Sequence, residues 1–162
     1  GTLNLLDTLA DHGGTITAME YSAPYLFTGC TDGHVRLWLA EADGSMLRFP
    51  QFILMDVCAV PTGWISALSF GLMMRLNEVG QLYVADGEGN ILVHTVSDTG
   101  YYGATTHGAS STRACKLVTR DLPRALHPLR IASLHYSPRD NVLISCSFDN
   151  KSTCPWPSLL VR

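Results

Sequence analysis

Residues His12–Trp38 read H-G-G-T-I-T-A-M-E-Y-S-A-P-Y-L-F-T-G-C-T-D-G-H-V-R-L-W. Ile16, Ala18, Met19 and Tyr21 form a short β-prone run. Ala23-Pro24 makes a turn, with proline where no ladder donor is needed. Leu26-Phe27-Thr28 is a second strand, and Thr31-Asp32-Gly33-His34 is a tight hairpin in which Gly33 can take positive φ. Val35 to Trp38 is a third strand. Three short antiparallel strands at this spacing predict an all-β protein.

The same pattern returns twice. Near Trp64, Ile65, Ala67, Leu68 and Phe70 echo Ile16, Ala18, Met19 and Tyr21, and Leu82-Tyr83-Val84-Ala85 echoes the second strand. Asp86-Gly87-Glu88-Gly89-Asn90 is the turn, and Ile91 to Thr95 the third strand. From His127, H-P-L-R-I-A-S-L-H-Y-S-P parallels H-G-G-T-I-T-A-M-E-Y-S-A without a gap, and L-I-S-C-S-F-D-N parallels L-F-T-G-C-T-D-G. Repeat starts at Ile16, Ile65 and Ile131 are unequally spaced.

These repeats resemble WD40 repeats, the four-stranded blades of a β-propeller. In that family a histidine before the first strand meets the turn aspartate and bonds a Ser or Thr, which bonds the indole N–H. The resemblance implies His12, Asp32, Thr28 and Trp38 in those roles. The residue types suit a closed network: Trp only donates, a hydroxyl and a neutral imidazole do both, and a carboxylate accepts. In the third copy His127, Ser145 and Asp149 occupy the same positions, with Pro155 at the Trp position and Trp156 one residue late. The third strand there is expected to be irregular, because proline cannot donate to a central ladder. The second copy has lost the set: Val84 replaces the hydroxyl, Glu88 the aspartate and His94 the Trp.

The implied fold is a WD40-type β-propeller segment of about three four-stranded antiparallel blades, an incomplete ring. Residues 1–9 are expected to be the outer strand of a preceding blade, 12–57 the first blade, 61–119 the second with a long loop at 97–113, and 127–162 the third. The outer strand of the first blade is expected within Met46–Val57 and that of the second within Ala114–Thr119. A propeller closes with about 4–8 blades. Three therefore predict completion by further blades of the same chain or of another. Gly1 is not Met, so the native N-terminus is expected to be missing and a removed targeting segment stays possible.

Composition bounds the function. Charged residues are 15%, below the usual ~25%, which fits a surface partly covered by something else. The net charge is −3 and no basic run occurs, so direct nucleic-acid binding is not expected. No apolar run approaches a membrane span, so no membrane partner is expected. Cys30, Cys58, Cys115, Cys146 and Cys154 are scattered and odd in number, which predicts free thiols in an intracellular location, cytoplasmic or nuclear. The sequon at Asn150 falls on an expected blade turn and is read as chance.

No cofactor, metal or catalytic site is expected. The D-G-E-G-N run lacks the glycine and distal Glu of a calcium loop. His127, His135, Cys146 and Cys154 are the one loose ligand group, and strands already account for them. No nucleophile, base and orienter converge in an exposed place. The expected function is a non-catalytic protein–protein interaction scaffold, a subunit of an intracellular complex. The alternative is a peptide reader within a transcription, chromatin or RNA-processing assembly.

By the same resemblance, partners meet the positions flanking the first-strand Ile and preceding the turn aspartate. These are Thr15, Thr17 and Thr31; Trp64, Ser66 and Gly87; Arg130, Ala132 and Phe148. Trp64, Arg130 and Phe148 stand out, because aromatics and Arg anchor interfaces. Trp64 could instead pack between blades and Arg130 could be a solvated loop charge. An exposed turn Phe is harder to explain without a partner.

Overall fold

A computed structural model describes residues 8–41, 51–75, 78–99, 113–120, 123–149 and 152–153. Every regular element among them is a strand, in three antiparallel sheets. The first holds β1 (Ile16–Ser22), β2 (Tyr25–Cys30), β3 (His34–Glu41) and β4 (Gln51–Ala59), in that order. The second holds β5 (Ile65–Arg75), β6 (Glu78–Asp86), β7 (Asn90–Asp98) and β8 (Cys115–Thr119). Its outer edge continues as β9 (Arg124–Ala125), which pairs with the start of β7. The third holds β10 (Ile131–Ser137), β11 (Val142–Ser147) and the two-residue β12 (Ser152–Thr153). The described residues form a WD40-type partial propeller that does not close into a ring.

The register makes the copies equivalent residue by residue. Each first strand has an irregularity directly after its Ile, between Ile16 and Ala18, Ile65 and Ala67, and Ile131 and Ser133. Ile16, Ile65 and Ile131 face Cys30, Asp86 and Ser147. Leu26 faces Trp38 as Leu82 faces His94. Strand ends differ from expectation. The outer strand of the first sheet runs to Ala59, and β7 extends to Asp98, so Ser97 and Asp98 belong to the strand rather than to the loop. Both pair with β8, and continued pairing on a covered edge holds them in extended form. The expected leading strand at residues 1–9 falls mostly outside the described residues, as do Met46, Pro50, Asn150, Pro155 and Trp156.

Cores lie between sheets. Phe27, Leu37, Ile65, Phe70 and Leu82 belong to one buried cluster joining the first two sheets, with the Phe27 and Phe70 rings 4.9 Å apart. Tyr83 and Tyr136 stack at 5.0 Å in a second cluster joining the next pair. Close approach requires glycine at both seams. A methyl group on Gly29 would collide with the Ile65 side chain, and one on Gly71 with the Tyr136 ring.

Polar ties cross the seams as well. The Thr17 hydroxyl reaches the Ile65 carbonyl, and Glu20 accepts the Phe70 N–H. Ser69 accepts the Tyr136 N–H at 2.9 Å, and Asp56 on β4 accepts the Leu117 N–H on β8 at 2.7 Å. The turn glycines Gly33 and Gly89 have φ of 76° and 90°. Their carbonyls receive the chain entering the next sheet: Val60 N–H on Gly33, and Leu126 and His127 N–H on Gly89.

Candidate functional site

Thr28 is the hub of the first sheet's polar network. Its hydroxyl accepts the Trp38 indole N–H at 2.9 Å and is hydrogen-bonded to His12 Nε2 at 2.7 Å. Asp32 does not join the His12 ring as the sequence reading expects. It accepts both Arg36 guanidinium ends and the N–H groups of His34 and Gly13. A charged fork four residues along the hairpin outcompetes a neutral imidazole for a carboxylate. Arg36 is foremost in holding the Asp32 carboxyl far below the usual carboxylate range, although desolvation opposes it. Burial and the Arg36 cation keep His12 below its ordinary pKa, opposed by the Leu9 backbone, Asp32 and Asp11. Nδ1 of His12 is buried without a partner of hydrogen-bond geometry among the described residues.

Thr28→Val strands two groups at once, the buried Trp38 N–H and the half-buried His12 Nε2. We expect a loss of about 2–4 kcal/mol, whereas Thr28→Ser retains most of the stability. Urea denaturation reads both. A valine variant within about 0.5 kcal/mol of wild type would remove the network's claimed structural role.

In the third sheet the expected set is hydrogen-bonded. His127 Nε2 lies 2.9 Å from Ser145 Oγ and Nδ1 lies 3.0 Å from Asp149 Oδ2. The connectivity is that of a Ser–His–Asp relay, but Ser145 is 0% exposed. A nucleophile must meet its substrate, so this set ties a loop to a turn. His127 is thereby committed to Ser145 and Asp149. His135 and Cys146 are exposed on the β10–β11 hairpin and form no group of three ligands with it, while Cys154 lies outside the described residues.

In the second sheet Glu88, at the position of Asp32, is exposed, and buried Asp86 closes the turn. Asp86 accepts the N–H groups of Glu88 and Asn90 and the Asn90 side-chain amide, at 2.7–2.9 Å. A shorter acid two residues earlier caps its own turn locally. His94 fills the slot that Trp38 fills in the first sheet, fully buried, with Nδ1 3.2 Å from Thr119 Oγ1. Burial pushes it down to about 4, against a small opposing pull from Asp56.

The partner-face positions form a threefold pattern. Thr31, Gly87 and Phe148 each donate a backbone N–H, to the carbonyls of Thr15, Trp64 and Arg130 respectively, at 2.9–3.2 Å. Thr15 and Thr31 are exposed, and Thr31 Oγ1 also accepts the Thr15 N–H. Thr17 and Ser66 are half-buried, with hydroxyls donating to backbone carbonyls of Gly29 and Ile65 and of Asp86. Exposed Ala132 holds the corresponding place in the third sheet.

Trp64, Arg130 and Phe148 come together. The Arg130 guanidinium carbon lies 5.4 Å from the Trp64 ring centre and 4.3 Å from that of Phe148. Trp64 lies across Gly87, where any side-chain carbon would strike its indole nitrogen. Phe148 is 57% exposed and Leu129 51%. The sequence reading picked these three as separate anchors. Their stacking across two sheets is new, because it depends on how the sheets face each other.

The fold and its repeat are similar to those of WD40-repeat proteins. A sequence model of the WD40 family, described as WD domain, G-beta repeat, matches residues 3–38. Among solved structures, Sqt1 of Chaetomium thermophilum bound to the N-terminus of ribosomal protein L10 matches with a TM-score of 0.60 at 17% identity, over 87% of this chain and 32% of that one. The chain thus spans about a third of the length of that structural relative. The computationally designed Ika4 protein matches with a TM-score of 0.44 at 17% identity, over 94% of this chain and 97% of that one. No match was found among curated proteins.

Proposed function

We propose that this chain is a non-catalytic protein-interaction platform, a WD40 subunit of an intracellular multiprotein complex. The observation that carries the reading is the Trp64–Arg130–Phe148 cluster, built from corresponding positions of two sheets on the rim that holds the turns. A half-buried Trp beside an exposed Arg and Phe presents the residue types that anchor partner proteins. The Sqt1 complex, in which a related fold is bound to the terminus of another protein, supports this use of the fold. The free thiols Cys30, Cys58, Cys115 and Cys146 support an intracellular location. The Ser145–His127–Asp149 set supports a non-catalytic reading, since its hydroxyl is buried. The ring is completed by further blades, of this chain or of another.

Affinity purification of the tagged protein from its own cells, read by mass spectrometry, tests the reading. Stable partners are expected with wild type and are reduced at least tenfold by Trp64→Ala and Phe148→Ala, whose folding is checked by thermal melts. Undiminished recovery by both folded variants would move the binding face elsewhere.

A further inference from the structure

Arg130 is a cation prepared for an anion. Its backbone is pinned, because its carbonyl accepts both the Phe148 N–H at 3.2 Å and the Ser147 hydroxyl at 2.9 Å. Its guanidinium is flanked by the Trp64 and Phe148 rings, which hold a planar cation in place and partly desolvate its faces. The residue is exposed, and among the described residues the guanidinium has no ion pair or hydrogen bond. Asp149, which follows Phe148, is engaged with His127, and Asp86, which precedes Gly87, is engaged with its own turn. Five in-plane donors are thus left with no acceptor, in the geometry that matches a carboxylate bidentately.

We propose that this cluster is a receptor for an acidic side chain, Asp or Glu, in an extended segment of a partner protein. The carboxylate docks on the Arg130 edge, and an adjacent apolar residue of the same segment covers Phe148 and Leu129. The inference rests on the platform reading and names the chemistry of its partner. Protein carboxylate is favoured over a nucleic-acid phosphate chain, which needs several cations in line. Here one guanidinium sits beside exposed apolar surface, on a chain of net charge −3.

The test is to pan a phage-displayed library of random peptides on the full chain. Affinities of an enriched peptide and its Glu→Gln or Asp→Asn counterpart are then measured for wild type, Arg130→Lys and Arg130→Gln. Selection is expected to enrich Asp or Glu next to Leu, Ile or Phe. Loss of the peptide carboxylate, or Arg130→Gln, should each weaken binding by about 10–100-fold, and the two together little more than one. Arg130→Lys should also weaken it, since lysine offers neither the fork nor the stack. Thermal melts of the Arg130 variants should match wild type, because the side chain is exposed. Enriched peptides without acidic residues, or wild-type affinity in folded Arg130→Gln, overturn the carboxylate assignment alone. Tighter Arg130-dependent binding of single-stranded oligonucleotides than of the enriched peptides also overturns it. No enrichment on the wild-type chain overturns the platform reading together with it.

Discussion

Arg113→Ala is expected to destabilise the protein by about 3–5 kcal/mol at neutral pH. Asp98, at the end of β7, is 0% exposed. Its carboxylate accepts the Tyr25 hydroxyl at 2.7 Å, reaching back to the first sheet, and Arg113 Nε at 3.0 and 3.1 Å with a further bond from the guanidinium end. Burial, with the field of that carboxylate added to it, pushes the neighbouring Cys115 thiol up to about 12. Removing Arg113 leaves a buried anion without its cation, and the penalty is the desolvation of that anion rather than the worth of a surface pair. Two outcomes identify the cause. The deficit should shrink as pH falls, because a protonated Asp98 no longer needs the cation. The triple variant Tyr25→Phe, Asp98→Leu, Arg113→Met should recover most of the loss, because both charges leave together and no buried hydroxyl is left without its acceptor. A pH-independent deficit in equilibrium unfolding would mean that Arg113 acts through packing alone.

The second large effect is on pH. His94 is buried neutral and titrates at about 4 when folded, against 6.5 for its ordinary value. Its folded pKa is depressed, so the unfolded chain takes up the proton first as pH falls. Stability is fully present above about 6.5 and is lost as pH falls toward 4, by about 3 kcal/mol. His12, also lowered, adds loss in the same direction. Asp32 titrates far below this window, so its contribution is lost only in stronger acid. Denaturant midpoints between pH 7 and pH 4 give the slope, and His94→Leu should flatten most of it. An unchanged slope in that variant would place the acid sensitivity outside this side chain.

The repeat was legible because strands that pair locally leave a local pattern. The offset from Ile16 to Asp32 recurs from Ile131 to Asp149, two residues longer through the wider turn, and the register follows it. Trp64, Arg130 and Phe148 could be chosen for their types, but not joined. Their contact depends on the distance between sheets, which no periodicity encodes. The Tyr25–Asp98–Arg113 cluster escaped for the same reason, since Tyr25 and Asp98 are 73 residues apart. One error was of another kind. Arg36 took Asp32 from His12, because a short-range charge overrode the family pattern. The cue was in the sequence, as an Arg four residues after an Asp.

The Phe70 and Tyr136 amides each donate to a side chain of the preceding sheet, Glu20 and Ser69 respectively. Those amides stay shielded from solvent deuterium until neighbouring sheets part. They are therefore clocks for the loosening of one sheet from the next. Phe70 times the first seam and Tyr136 the second, so a ligand gripping Trp64 and Phe148 together would slow the later clock while leaving the earlier one at its own pace.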